Sequence, residues 1–228
     1  MWAVIKKEFK SYFLTPIGYV FIGVFLIAFS ISFFFSVLGY GTVNFEYIYY
    51  TLPTILVLAF IIPLLTMRSF SEERKSGTEQ LLLTSPVSIT KIVLGKFIAA
   101  LGIVVITELC TFMYFAILCH FGTPKLTTTF ATLLGFLLFV MSYISFGMLT
   151  SSITENQIIA GIISIGFFII TWVMPEFNSN LQSYSFINMF YKYTQGQIDI
   201  GDTVTFITFT ITCLLLTITV MQRRKSVK

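Results

Sequence analysis

Residues Ile17–Leu38 read IGYVFIGVFLIAFSISFFFSVL, 22 residues without a charge. A hydrocarbon core ~30 Å thick is crossed by about 20 helical residues, so this stretch is long enough to span a bilayer. Lys6, Lys7 and Lys10 precede it as a basic flank, in the manner of a secretory leader. The apolar part of a leader runs only about 7–15 residues and ends at a small-residue cleavage site. Neither holds here, so the stretch is expected to stay as a first span.

Five further apolar runs follow: Tyr50–Met67, Ile92–Phe121, Phe130–Thr150, Gln157–Met174 and Thr203–Met221. Backbone groups in hydrocarbon must be satisfied within the segment, so each run is expected to be helical. The fold class expected is therefore all-α, a polytopic membrane protein with six transmembrane helices. Composition agrees. The chain is 56% hydrophobic and 11% charged, with mean hydropathy +0.90, whereas soluble domains carry about 25% charged residues. The spans consume the 228 residues as one transmembrane domain over 1–228 and leave no stretch for a separate soluble domain.

Basic residues are sorted by side. One set of segments, comprising the N-terminal tail, residues 68–96, residues 151–156 and the C-terminal tail, holds Lys6, Lys7, Lys10, Arg68, Arg74, Lys75, Lys91, Lys96, Arg223, Arg224, Lys225 and Lys228. The other set holds only Lys125 and Lys192. The positive-inside rule places the first set, with both termini, in the cytoplasm. The net charge of +4 is thus a topology signal and not a nucleic-acid patch. Cys110, Cys119 and Cys213 show neither disulfide nor zinc spacing and read as small apolar fillers.

Local signals mark the ends of the elements. Thr15-Pro16 reads as an N-cap followed by proline at the first helical position. Gly39 reads as a left-handed helix terminator. The third run is too long for one perpendicular span, so it is expected to begin in the cytoplasm, with Lys96 snorkelling to the interface.

Three segments lie outside the spans. In residues 1–15, Trp2, Ile5, Phe9, Tyr12 and Phe13 share one helical face. That pattern suits an N-terminal amphipathic surface helix, against the plainer reading of a basic flank. In the loop 68–91, Ser71–Lys75 extends the second span and Gly77 ends it by turning left-handed. Thr78 then caps a short helix, Glu79 to Thr84, with Glu79 at its positive end, and Pro86 stops it. This helix projects Leu81, Leu82 and Leu83, either into a socket on a partner or onto the bilayer surface. The segment 175–202 holds Phe177, Tyr184, Phe186, Phe190, Tyr191 and Tyr193 and is expected to form short re-entrant or interfacial helices outside the cell. Most of the 26 phenylalanines and 11 tyrosines read as lipid-facing bulk and interface belt.

The loop EERKSGTEQLLLTSPVSITKIVLGK closely resembles the cytoplasmic loop of permease subunits of ABC-2 type ATP-binding-cassette transporters. The opening VIKKEFKSYFLTPIGYVF and the segment NMFYKYTQGQIDIGDTVTF resemble the gliding-motility-type branch of that class. The resemblance implies a permease subunit, an exporter by preference, in a bacterial inner membrane. It implies a separate ABC ATPase that carries the ATP and magnesium, and a homodimer or a sister permease. It also implies that the short cytoplasmic coupling helix docks on the ATPase. Carried over by position, the docking residues are Glu72, Glu73, Arg74, Gly77, Thr78, Glu79, Leu82 and Pro86. The loop 151–156 has no Lys or Arg and offers little for a second docking contact.

Glu108 lies near the middle of the third run. An ionisable residue there faces a bundle interior or a cavity. Two readings remain: part of a transport path, or a helix-to-helix hydrogen bond to Thr107, Thr111 or a serine on another span. The single histidine, His120, reads as an interfacial structural residue. No G-x-x-x-x-G-K-[ST], H-E-x-x-H or G-x-S-x-G occurs, so no catalytic, cofactor or metal residues are expected in the chain. The alternative to a permease is a non-transporting membrane protein, such as an immunity or assembly factor or a membrane-bound enzyme using Glu108.

Overall fold

The structure is a computed structural model that describes residues 1–39, 41, 43–80, 87–177, 182 and 184–227. Among these residues all regular structure is helical, and six helices are long and apolar enough to cross a membrane. In chain order the elements are α1 (Trp2–Leu14), α2 (Ile17–Ser32), α3 (Leu52–Thr66), α4 (Arg68–Lys75), α5 (Ile89–Phe121), α6 (Leu126–Ile153), α7 (Gln157–Phe177), α8 (Phe186–Thr194) and α9 (Ile200–Val227). A wide π turn, Phe33–Leu38, extends α2, and a tight 3-10 turn, Phe45–Tyr50, leads into α3. The spans are α2 with its π turn, α3 with α4, and then α5, α6, α7 and α9.

α6 is the axis of the bundle, and small residues let its neighbours approach. A Cβ at Gly135 would lie 2.4 Å from Tyr193 Cβ on α8, and one at Gly147 would lie 2.1 Å from Thr66 Oγ1 on α3. Close backbone approach of this kind replaces the hydrophobic drive that helices lack in lipid. Aromatic rings fill what remains. Phe139 stacks on Phe190 with centroids 5.2 Å apart, and Phe25 stacks on Phe29 at 4.7 Å. More of the phenylalanines are buried than exposed, which corrects the expectation that they mainly face lipid. Rings bury large areas and meet edge to face, so they knit helices where hydrocarbon outside is equally apolar. The exposed apolar side chains, Ile27, Phe60, Leu109, Ile162 and Ile170 among them, lie on the outer faces of the spans.

Three local expectations change. Thr15 closes α1: its hydroxyl donates back to Ser11 O at 2.9 Å, and Pro16 holds the N-cap position of α2. Gly39 is right-handed, with φ −67°, because the π turn already ends the span by the bond from Gly39 N to Phe34 O. Lys96 does not snorkel; it is 3% exposed, for reasons given below.

α1 lies across α5. Val4 sits over Gly95 and Phe9 over Gly102, two glycines on one side of α5, while Trp2 is 75% exposed. At the opposite end of the bundle α8 is anchored by Phe186, Ile187, Met189, Phe190 and Tyr193, all buried. The Lys192 ammonium donates to Asp202 Oδ2 at 2.8 Å, and this bond, with the charges of Asp202 and Asp199, raises the Lys192 pKa. α8 is the described helix of the 175–202 segment; residues 178–181 and 183 lie outside the described residues.

Candidate functional site

The loop expected to dock a partner begins where α3 breaks into α4. Met67 separates the two helices, and the broken hydrogen-bond ladder is repaired from α6. Ser151 Oγ donates to Met67 O at 2.9 Å and accepts from Phe70 N at 3.0 Å and Ser71 N at 3.1 Å. Ser151 is fully buried, so one hydroxyl satisfies three backbone groups that no water reaches. α4 is thereby tied to the end of α6.

Gly77 has φ +74°, the left-handed conformation expected of it, and ends the extension of the second span. A side chain there would meet no atom, so the strain of a substitution is purely conformational. The Thr78 hydroxyl donates back to Glu73 O at 3.3 Å and shares a bond with Ser76 Oγ at 2.9 Å; the rest of the helix that it is expected to cap lies outside the described residues. Glu72 is exposed. Leu82 and Pro86, with the rest of residues 81–86, lie outside the described residues.

Glu79 and Arg74 belong to one polar junction. Arg224, near the end of α9, donates to Glu79 Oε1 at 3.2 Å. Arg74 pairs with Glu155 at 2.5 Å. Both guanidinium groups also reach the Ile153 carbonyl, at 3.2 and 3.3 Å. That carbonyl belongs to the last turn of α6, which has no intrahelical donor and carries the negative end of the helix dipole. An open depression of about 460 Å³ lies over this junction, lined by Arg74, Gly77, Glu79, Gln80, Glu155, Arg223 and Arg224. The loop 151–156, with no basic residue, thus joins the site through Ser151, Ile153 and Glu155.

Glu73 belongs to a second cluster, closed over Lys96. The Lys96 ammonium meets Glu73 Oε1 at 2.8 Å, Ser69 O at 2.8 Å and Glu8 Oε1 at 3.3 Å, and it lies 5.3 Å from the centre of the Phe70 ring. A buried ammonium is tolerated only when its donors are spent in this way. Tyr12 is packed beside the cluster; burial, then the charges of Glu8 and Glu73, raise its hydroxyl pKa. The three acidic and basic groups come from α1, α4 and α5, so α1 is tied to the helix that leads into the loop after Gly77. Sequence reasoning did not assign Glu8, Lys96, Ser151 or Arg224 a place here. Lys96 carried the one available signal, a cation inside an apolar run.

Glu108 is 5% exposed on the inner face of α5. Its expected partners are engaged elsewhere. The Thr107 hydroxyl donates to Ile103 O at 2.8 Å, and the Thr111 hydroxyl donates to the backbone carbonyl of Glu108 at 2.7 Å. Glu108 Oε1 is enclosed and has no hydrogen-bond partner among the described residues.

Six membrane-crossing helices, with a polar junction at the end that carries both termini, define a multi-pass membrane protein. A family model described as ABC-2 family transporter protein matches residues 38–221. The chain belongs to this family. It is a permease subunit of an ABC transporter, a component distinct from the ATPase, and the family generally works with an ATPase subunit in a membrane. No curated protein matches the chain.

Proposed function

We propose that the chain is the permease of an ABC-2 exporter of the gliding-motility-type branch, in a bacterial inner membrane with both termini in the cytoplasm. A separate ATPase, carrying ATP and magnesium, docks on the loop after Gly77, and the permease works as a homodimer or with a sister permease. The observation that carries the reading is the junction of Arg74, Glu79, Glu155 and Arg224 at the base of that loop. A push on the loop reaches α4 directly, α6 through Ser151 and Ile153, α9 through Arg224, and α1 through Glu73 and Glu8. Nucleotide-driven closure of the ATPase therefore has a rigid route into four parts of the membrane domain. Burial of two or three leucines in a partner groove is worth about 1.5–3 kcal/mol each, enough to make the contact specific.

The test is co-purification of the ATPase encoded with the permease. Leu82→Asp places a charge in the apolar socket and is expected to abolish co-purification while membrane insertion persists. Retention of the ATPase by this variant, with normal transport, would rule out the loop as the docking site. Cysteines introduced at Lys125 and Gln182 are expected to label from outside, and one at Ser76 only from inside. Outside labelling at Ser76 would invert the topology.

A further inference from the structure

We propose that the end of the bundle carrying both termini holds a zwitterionic phospholipid with a primary amine, its headgroup at Arg68 and Glu72 and an acyl chain between α2 and α3. The site rests on the topology proposed above only for the leaflet that supplies the lipid.

Two cavities follow one another along α2 and α3. The first, of about 220 Å³, lies between α1, the break from α3 into α4, and α5. Three cations, Lys7, Arg68 and Lys96, and three carboxylates, Glu8, Glu72 and Glu73, line it, so its lining has no net charge. Ile17 of α2 and Leu65 of α3 supply its apolar side. The second, of about 240 Å³, begins within a turn of these two residues, deeper along the same helices. It runs between Val20 and Val24 of α2 and Leu56, Phe60, Ile61 and Leu64 of α3, and no polar side chain lines it. From Leu64 to Leu56 it follows α3 for ~12 Å. Phe60 is 56% exposed, so the groove opens outward, to the hydrocarbon that surrounds a membrane-crossing helix.

The charges of the first cavity fall into two groups. Lys96 is already held, by Glu73 at 2.8 Å and Glu8 at 3.3 Å. Arg68 and Glu72 stand one turn apart on one face of α4, both exposed, and neither forms an ion pair among the described residues. A guanidinium takes a phosphate, and a carboxylate takes the N–H donors of a primary ammonium. An anionic headgroup without an amine would leave Glu72 unmatched and meet as many carboxylates as cations. A quaternary ammonium has no N–H to give Glu72. A water-soluble zwitterion would leave the apolar groove unused. A polar, charge-balanced cavity opening onto an apolar groove of acyl-chain length fits a phospholipid whose headgroup carries both a phosphate and an amine.

Phosphatidylethanolamine is the probe, titrated into the delipidated full-length chain in detergent, without ATPase, and counted by native mass spectrometry. One lipid per chain is expected to bind, about threefold or more tighter than phosphatidylglycerol or phosphatidylcholine with the same chains. Glu72→Gln, at an exposed position, should remove the preference over phosphatidylcholine. Val24→Trp should fill the groove and weaken binding about tenfold, while Leu109→Trp, at an exposed apolar site on α5 outside the groove, should leave it unchanged. Phosphoethanolamine, which has the headgroup charges and no chains, should fail to compete on the unmodified chain, a measurement that needs no variant to fold. Absence of saturable binding, equal binding of the three lipids, an unaltered preference in the Gln variant, full binding by Val24→Trp, or effective competition by phosphoethanolamine would each overturn the proposal. The permease reading fails elsewhere, at ATPase co-purification, so the two failures are distinguishable.

Discussion

Helix α5 carries two ionisable side chains inside the protein, Lys96 and Glu108, twelve residues or ~18 Å apart along the axis. They are similarly enclosed, at 3% and 5% exposure. Lys96 has a carboxylate on either side, a backbone carbonyl and an aromatic face. Glu108 has an enclosed oxygen with no partner among the described residues, and the hydroxyls of Thr107 and Thr111 on the same helix donate to backbone carbonyls. The first arrangement fixes α1, α4 and α5 to one another. The second has no such counter-charge among the described residues. An enclosed oxygen without a partner does not separate the two, since Glu73 Oε2 has none either; the counter-charge does.

Breaking the first arrangement is expected to have the largest effect. Lys96→Met removes the cation and leaves Glu73 and Glu8, both partly buried, side by side without it. Stranding a fully buried charge costs about 3–5 kcal/mol, and these carboxylates keep some water, so stability to thermal unfolding in detergent should fall by a good part of that. Adding Glu73→Gln should recover much of the loss, since Glu73 is the nearer carboxylate. A Lys96→Met variant as stable as the parent would mean that this cluster does not hold the three helices together.

A smaller loss is expected from Ser151→Ala. It removes the partner of the Phe70 and Ser71 amides at the break between α3 and α4, while the Met67 carbonyl keeps the Ser71 hydroxyl as a donor. Unsatisfied buried groups cost about 1–3 kcal/mol each, and a relaxed ladder can recover part of it. The readout is the same unfolding measurement, with ATPase co-purification as a second. Coupling should weaken even where the fold survives, because α4 and the docking loop lose their tie to α6. The Glu79–Arg224 pair comes next. Arg224 sits near the surface, so a double-mutant cycle is expected to give about 1 kcal/mol or less. A coupling several times larger would make the C-terminal end of α9 a principal brace of the loop.

The comparison also marks what the chain discloses before folding. The six spans, the left-handed turn at Gly77 and the ionisable Glu108 are local features: length, one backbone conformation, one charge in an apolar run. The spans and Glu108 are readable because the bilayer penalises the alternative, and Gly77 because a Cβ penalises a positive φ. The pairings are not local. Glu79 meets Arg224 across 145 residues, and Ser151 meets Phe70 across 81. Periodicity gives no help within the spans, because both the lipid side and the protein side of a helix are apolar, and so the aromatic core passed for lipid-facing bulk. Thr15 and Gly39 misled for a related reason. Each can close a preceding helix or open a following one, and the geometry of the break decides between the two. Of the docking residues, Gly77 was legible from its chemistry, whereas Glu73 and Glu79 acquire their partners only when α5 and α9 arrive.

The smallest expected effect on stability belongs to Glu108→Gln, and it is the sharpest test of the contrast. Glutamine has the shape of glutamate and keeps one carbonyl oxygen. The carboxyl it replaces has an oxygen that accepts nothing among the described residues, so little favourable interaction is lost. The amide also avoids the cost of holding a charge in a low-dielectric interior. Unfolding should therefore shift by about 0.5 kcal/mol or less, the range of substitutions that break no packing or hydrogen bond. If Glu108 lines the transport path, export should fall sharply in the same variant, while the ATPase still docks, because the loop lies at the other end of the α4 and Lys96 connection. A Gln variant as unstable as Lys96→Met would place Glu108 among the structural ions. A variant with full transport would remove it from the cargo path and leave the aromatic face of α8 as the surface to probe.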